Sequence, residues 1–265
     1  MLLGVVLATM APTLLASLGS ERQGYPAFGV LLATLCVIIA IGTAPMWRTS
    51  VKITAPISFE ALKKAGALRL LLIALTNSLP VAITATLFLF FVEDRLQLAG
   101  WAGALLLLFF LSAGMSVPVW TKMAKRIGGR AVLLVAMPIA IFGFSYAAFL
   151  TAGDFWPFIL VCVVSGMAVG ADLVVLPAMF SIALTEHGLN ASTAFGLWSF
   201  AGKLGLALAA FLVLPYLEQS GFTPGTQNSD AALQRLTFAY AILPCILKII
   251  ALGLVWALPR KEITA

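Results

Sequence analysis

The sequence predicts an all-α, polytopic membrane protein with about eight transmembrane helices. Of its 265 residues, 62% are hydrophobic and only 10% are charged, whereas soluble domains carry about 25% charged residues. Apolar runs of about 20 residues, the length that crosses a bilayer as a helix, recur along the whole chain. The charged residues collect in the short segments between these runs. Composition, run length and charge placement therefore indicate the same class of protein.

Eight apolar runs define the predicted spans. They cover residues 2–19, 25–47, 70–92, 97–121, 131–152, 155–182, 191–217 and 236–258. The first run is also compatible with a signal peptide, but it lacks the basic start of such peptides and is too long. In the sixth run, Gly166 and Gly170 are spaced to let a neighbouring helix approach closely.

The longest connector, residues 48–69, is the predicted internal boundary between residues 1–47 and 70–265. Within it, residues 57–64 have the pattern of a short amphipathic helix at the cytoplasmic face. The later polar segment 218–235 is predicted to be an external loop. The prolines that interrupt most of the spans predict kinks, because neighbouring helices can satisfy the freed backbone groups.

The basic residues predict the orientation. Eleven lie in connectors on one side: Arg48, Lys52, Lys63, Lys64, Arg69, Lys122, Lys125, Arg126, Arg130, Arg260 and Lys261. The other side has only Arg22, Arg95 and Arg235. We expect a multi-pass protein of a bacterial inner membrane, and the positive-inside rule predicts that both of its termini lie in the cytoplasm. The net charge of +6 belongs to these loops, so it indicates contact with the lipid bilayer and not with nucleic acid.

No pattern of catalytic or metal-ligating residues is visible. The three cysteines, Cys36, Cys162 and Cys245, lie in apolar runs without metal-ligand spacing, which predicts buried free thiols. His187, the single histidine, lies in a polar loop with no second ligand near it in sequence. Neither a nucleophile elbow nor a phosphate-binding loop is present. The sequence therefore predicts a protein that is not an enzyme and holds no cofactor.

Three charged residues inside predicted spans are the candidates for function. Lys203 falls near the middle of its span, about 18 Å from the start, where a lysine costs roughly 2.5–3.5 kcal/mol. Asp172 lies in the preceding span, and an Asp172–Lys203 pair would relieve both charges. Such a pair would either fix helix register or form a polar pocket. Lys248 either faces the same cavity or extends its ammonium toward the interface. Ser199 lies four residues before Lys203, on the same helix face.

Three stretches resemble the glycoside–pentoside–hexuronide:cation symporters, the melibiose-permease-like branch of the major facilitator superfamily. Residues 120–130 (WTKMAKRIGGR) resemble the basic loop between the second and third helices of the C-terminal half. Residues 170–179 (GADLVVLPAM) resemble the start of helix ten. Residues 196–205 (GLWSFAGKLG), with later matches at Gly221, Phe222, Gln227 and 240–244, resemble helices eleven and twelve. In that family a lysine of helix eleven lies in the sugar and cation region, and Lys203 occupies the matching place.

The resemblance implies a partial major facilitator fold that lacks the first four helices. Residues 1–47 would be the last two helices of the N-terminal bundle, 48–69 the central loop and 70–265 the six-helix C-terminal bundle. The implied function is symport of a sugar-like solute coupled to a sodium ion or a proton, with Lys203 binding the solute and Asp172 balancing charge. In the family the missing helices hold the acidic cation-binding residues. The alternative is a truncated, non-transporting remnant, or a subunit completed by self-association or by a separate four-helix piece.

Overall fold

The structure, a computed structural model, describes residues 24–45 and 59–259. The chain divides into two compact units, Met1–Pro56 and Ile57–Ala265. In the first unit, helix α1 spans Gly24–Thr43 and is apolar along its length. It corresponds to the predicted span 25–47, and the predicted span 2–19 lies outside the described residues. Cys36 of α1 is free as predicted, but it is exposed and not buried.

The second unit is a bundle of long apolar helices preceded by one short helix. Its helices are α2 (Phe59–Lys64), α3 (Ala67–Arg95), α4 (Ala102–Ile127), α5 (Gly129–Phe149), α6 (Phe155–Glu186), α7 (Ala191–Glu218) and α8 (Asp230–Trp256). Six of them, α3 to α8, are long and apolar enough to cross a bilayer. The described part of the chain contains no β-strand. The predicted all-α, multi-pass membrane class and the last six predicted spans are thus confirmed.

The structure adds detail at two places where the sequence predicted connectors: helix α2 and the start of helix α8. Helix α2 confirms the short helix predicted before the bundle, and its Leu62 is buried. Helix α8 begins at Asp230, six residues earlier than the apolar run, so part of the predicted external loop is helical. The cause is an N-cap: the Ser229 hydroxyl accepts a hydrogen bond from the Ala232 amide at 3.3 Å.

Helix α6 is the centre of the bundle. It packs against α4, α5 and α3, while α3 also packs against α7 and α8. Gly166 and Gly170 allow the closest of these approaches, because a Cβ atom at either position would overlap with backbone atoms of α4. The Trp120 indole of α4 donates a hydrogen bond of 2.7 Å to the Met167 carbonyl between the two glycines. The close contact predicted for this glycine pair is confirmed.

We expect Gly166→Val to lower the free energy of unfolding by about 1–3 kcal/mol, the usual cost of overpacking. The added side chain would push the Phe109 backbone of α4 away from α6. The matched control is Gly253→Val in α8, where a Cβ atom meets nothing within 4 Å. Thermal unfolding of both variants in detergent checks the prediction, and equal melting temperatures would contradict it.

The buried residues form two apolar clusters with a polar layer between them. One cluster includes Phe91, Phe158 and Tyr240, and the other includes Met137 and Phe180. Six of the seven buried polar residues in the described part of the chain lie between the helix stretches of the two clusters or at the edge of the second; the seventh, Thr237, lies within the first cluster's stretch of α8. The six residues are Asn77, Ser112, Ser116, Ser165, Asp172 and Lys248. The bundle therefore has a polar layer partway along its spans.

Arg130 joins the start of α5 to the end of α8. Its guanidinium donates hydrogen bonds to the carbonyls of Val255 at 3.3 Å and Trp256 at 2.6 Å. Both carbonyls belong to the last turn of α8, where a cation complements the helix dipole, and the Val255 carbonyl also accepts a hydrogen bond from the Leu258 amide at 3.2 Å.

We expect Arg130→Met to cost about 1–2 kcal/mol of stability. The C-terminal carbonyls of α8 would lose their charged donor, and the stem of the side chain would be kept. Arg126→Met, at an exposed arginine in the last turn of α4, is the control. Thermal unfolding in detergent should give a lower melting temperature for Arg130→Met than for Arg126→Met. Equal melting temperatures would contradict the stabilising role of Arg130.

Candidate functional site

Asp172, Lys248 and Asn77 form a charged cluster in the polar layer. They come from α6, α8 and α3 and are only 6%, 5% and 5% exposed. The Lys248 ammonium forms an ion pair with Oδ2 of Asp172 and donates a hydrogen bond of 2.6 Å to Oδ1 of Asn77. Three helices are thereby joined through one ammonium group.

The cluster is incompletely satisfied. Oδ1 of Asp172 is buried and has no hydrogen-bond partner. Buried polar atoms are nearly always hydrogen-bonded, because an unpaired one forfeits its hydration without compensation. The ion pair offsets the charge of the carboxylate, but it leaves one of its two oxygens without a donor.

A cavity of about 50 Å³ adjoins Lys248 within the bundle. Its wall includes the hydroxyl-bearing residues Thr84 and Ser165 and the thiol-bearing Cys245. Apolar side chains of α3, α4 and α5 form much of the remainder. This space exceeds the 10–15 Å³ that one water molecule needs.

The expected Asp172–Lys203 pair is wrong. Helices α6 and α7 are consecutive in sequence but make little contact in the bundle. Lys248, 76 residues after Asp172, pairs with the carboxylate instead. The hypothesis that Lys248 extends its ammonium toward the interface is also wrong, since the residue is buried.

Lys203 and Ser199 lie on an exposed face of α7. Gly196 and Gly202 on the same helix have open space where a Cβ atom would be. The opposite side of α7 packs inward: Gly205 closely approaches Ser78 of α3. Lys203 has no hydrogen bond or ion pair with any residue that the structure describes. The structure thus places two of the four predicted site residues in the buried cluster and two on this face.

Trp198 and His187 make contacts that do not involve the buried cluster. Trp198 packs against Phe180 with ring centroids 4.9 Å apart. His187 lies just after α6, and its Nδ1 is 3.0 Å from the Ala183 carbonyl. Within residues 24–45 and 59–259, no group of three or more His, Cys, Asp or Glu residues could hold a metal ion.

Asn77 is the member of the cluster that the sequence reasoning did not assign to the site. Its signal was a lone amide inside an apolar run, which predicts an interhelical hydrogen bond but not the partner. The partner depends on which helices are neighbours, and α3 contacts α8.

Comparison with known proteins gives one family match. A family model described as MFS/sugar transport protein matches residues 1–262. A search of curated proteins finds no match to the chain.

Proposed function

Because the chain belongs to the family of MFS/sugar transport proteins, we propose that it is a secondary transporter of a sugar or related small solute. The solute crosses by alternating access, with its binding site near the middle of the membrane. Transport is coupled to the movement of a cation in the same direction. The protein acts in a bacterial inner membrane, and the distribution of its basic residues supports an orientation with both termini in the cytoplasm.

The observation that carries the proposal is an exposed lysine in the middle of a membrane-spanning helix. Lys203 lies about halfway along Ala191–Glu218 and is not buried against the rest of its bundle. An ammonium group facing lipid at this depth would be costly, so such residues line a water-filled path or pair with a partner. A path for a hydroxyl-rich solute would contain water to hydrate the Lys203 ammonium, and the oxygens of the solute would accept its hydrogen bonds.

The geometry of α7 suits a solute with several hydroxyl groups. The Lys203 ammonium has three N–H donors for solute oxygens, and the Ser199 hydroxyl can both donate and accept. The glycines at 196 and 202 leave space beside them. We assign Lys203 and Ser199 to solute binding and the Asp172–Lys248 pair to charge balance within the bundle.

The test is uptake by the purified full chain in liposomes. Labelled hexoses, pentoses, hexuronides and disaccharides would be offered separately, under an imposed sodium gradient or pH gradient. The proposal predicts accumulation of at least one of these solutes above the level in protein-free liposomes. Failure of every solute under both gradients would remove the proposed function and leave the fold unaffected.

The second candidate function is that of a subunit that transports only within a larger assembly. The exposed face of α7 favours this second candidate. Leu197, Phe200 and Leu206 lie on that face with Lys203, and another protein surface would bury them. That surface would belong to a second copy of this chain or to a separate helical partner. Light scattering of the detergent-purified protein should then give a mass above that of one 28.0 kDa chain, and a fully active monomer would exclude this candidate.

A further inference from the structure

We propose that the end of the bundle beside α2 holds a binding site for a small zwitterion with an apolar body, the chemistry of an amino acid that has an apolar side chain. The site is a cavity of about 220 Å³, which we call the end cavity. Its wall comes from the end of α2 with Ala65, from Leu70 near the start of α3, from the last turns of α6 with His187, and from Leu258 just after α8. The end cavity shares no residue with the buried charged cluster or with the exposed face of α7, so its ligand can be identified without a transported solute.

The end cavity has room for an organic molecule and not only for water. A single water molecule needs about 10–15 Å³, and a cavity of about 150 Å³ in another protein holds benzene. The volume of about 220 Å³ therefore accommodates a ligand somewhat larger than benzene. A free amino acid with an apolar side chain is of this size.

Two charged residues of opposite sign line the end cavity without forming an ion pair. Lys64 is the last residue of α2, and Glu186 is the last residue of α6. Neither side chain makes a hydrogen bond or an ion pair with any residue that the structure describes. Two unpaired charges in the wall of one cavity can each bind one end of a molecule that carries both charges.

The end of α6 favours a cation. Glu186 lies where the helix dipole is negative, so a carboxylate at this position does not support the helix. A ligand ammonium beside Glu186 would compensate both the carboxylate and the dipole. His187 adds an acceptor: its Nδ1 is 3.0 Å from the Ala183 carbonyl, and a carbonyl only accepts, so Nδ1 donates. Nε2 of the neutral imidazole is then an acceptor for a ligand N–H.

Lys64 and the apolar part of the wall determine the remaining features of the ligand. The Lys64 ammonium has three N–H donors, which suit a ligand carboxylate through charge-assisted hydrogen bonds. The apolar part of the wall includes Leu70, Met179 and Leu258, all of which are buried. An apolar ligand side chain placed against these residues would leave water, which is favourable.

The end cavity is accessible from water. Lys64, Glu186 and His187 are exposed, whereas the apolar residues of the wall are buried. A soluble molecule can therefore enter past the charged residues and place its apolar body inward. An ethanolamine phosphate headgroup of a phospholipid carries the same two charges, but it has no apolar group between them and the interior of the bundle. This arrangement favours the amino acid, and the test below separates the two sources.

The test is equilibrium dialysis of the detergent-purified full chain with radiolabelled L-leucine, L-valine and L-methionine, each offered separately. We expect saturable binding of at least one of them. For leucine, three analogues each lack one recognised group: N-acetyl-leucine lacks the ammonium, leucinamide lacks the carboxylate, and glycine lacks the apolar body. Each analogue should bind at least about tenfold more weakly, because it loses a charge-assisted hydrogen bond or the apolar contact.

Matched variants locate the site. Lys64→Met and Glu186→Gln should each weaken binding by at least about tenfold, whereas Lys63→Met, at the neighbouring exposed lysine, should leave it unchanged. Ala183→Phe should abolish binding, because its side chain would fill the cavity while both charges remain. The variants at the exposed positions 64 and 186 decide the matter if Ala183→Phe does not fold. Lys203→Met should bind like the wild type.

The proposal is overturned if none of the three amino acids shows saturable binding at millimolar concentrations, or if Lys64→Met and Lys63→Met bind alike. Binding that is lost in Lys203→Met and kept in Lys64→Met would also overturn it, because the ligand would then lie in the proposed solute path. Tighter binding of O-phosphoethanolamine than of every amino acid would overturn it in favour of a lipid headgroup. A failure of sugar uptake in liposomes would remove the proposed transport function and leave this site unaffected.

Discussion

Replacing Lys248 by methionine while Asp172 is kept should lower the free energy of unfolding of the bundle by about 3–5 kcal/mol. The substitution keeps most of the side-chain volume and removes only the charge. Asp172 would then be a carboxylate that is 6% exposed and has no cation beside it, and Asn77 would lose its donor. The expected result is a large fall in melting temperature in detergent.

Two matched variants isolate the charge effect. Lys203→Met makes the same substitution at an exposed lysine and should change the melting temperature little. Asp172→Asn/Lys248→Met removes both charges and should recover most of the stability, because neutral groups of similar size cost far less to bury than one unpaired ion. If Lys248→Met and Lys203→Met melt alike, the ion pair is not the structural element described above.

Lys203→Ala should reduce the initial rate of solute uptake to below about a hundredth of the wild-type rate. A hydrogen bond to a charged group contributes about 1.5–3 kcal/mol, and an ammonium that binds two solute oxygens would contribute a factor of this size. Initial rates in liposomes containing equal amounts of folded protein provide the measurement. The melting temperature should stay near that of the wild type, because Lys203 has no partner among the described residues.

The control for this experiment is Lys122→Ala. Lys122 is exposed near the C-terminal end of α4, so its loss changes the net charge by the same amount without touching the middle of the span. Unchanged uptake in Lys203→Ala would remove Lys203 from the solute site and leave the fold intact. An equal loss in both variants would indicate a general charge effect and not a specific contact.

Most of the fold could be predicted from the sequence because the bilayer imposes a length on each helix. The apolar runs identified α3 to α8, and only their ends differ from the structure. The Gly166–Gly170 contact was also predictable, since close approach of two helices requires small residues at helical spacing. The start of α8 was missed because a single N-cap at Ser229 extends the helix into a polar segment.

The partners in the buried cluster could be predicted less well. Asp172, Lys248 and Asn77 each stand out as polar residues in apolar runs, so the members of the cluster have a signal in the sequence. Their pairing depends on helix neighbours, and α6 contacts α7 little although it directly precedes it. The assumption that consecutive spans are neighbours therefore assigned Asp172 to Lys203 and not to Lys248.

The most direct test of the account is whether water and solute reach the exposed face of α7. In a variant with the three native cysteines replaced by serine, Ser199→Cys would introduce one thiol beside Lys203, and Phe142→Cys would introduce one at a highly exposed apolar position of α5. Both would be treated in liposomes with a charged thiol reagent that does not enter lipid. The account predicts that the thiol at 199 reacts, that the transported sugar slows this reaction, and that the thiol at 142 does not react. An unreactive thiol at 199 would mean that this face contacts lipid, and the proposed solute path along α7 would be wrong.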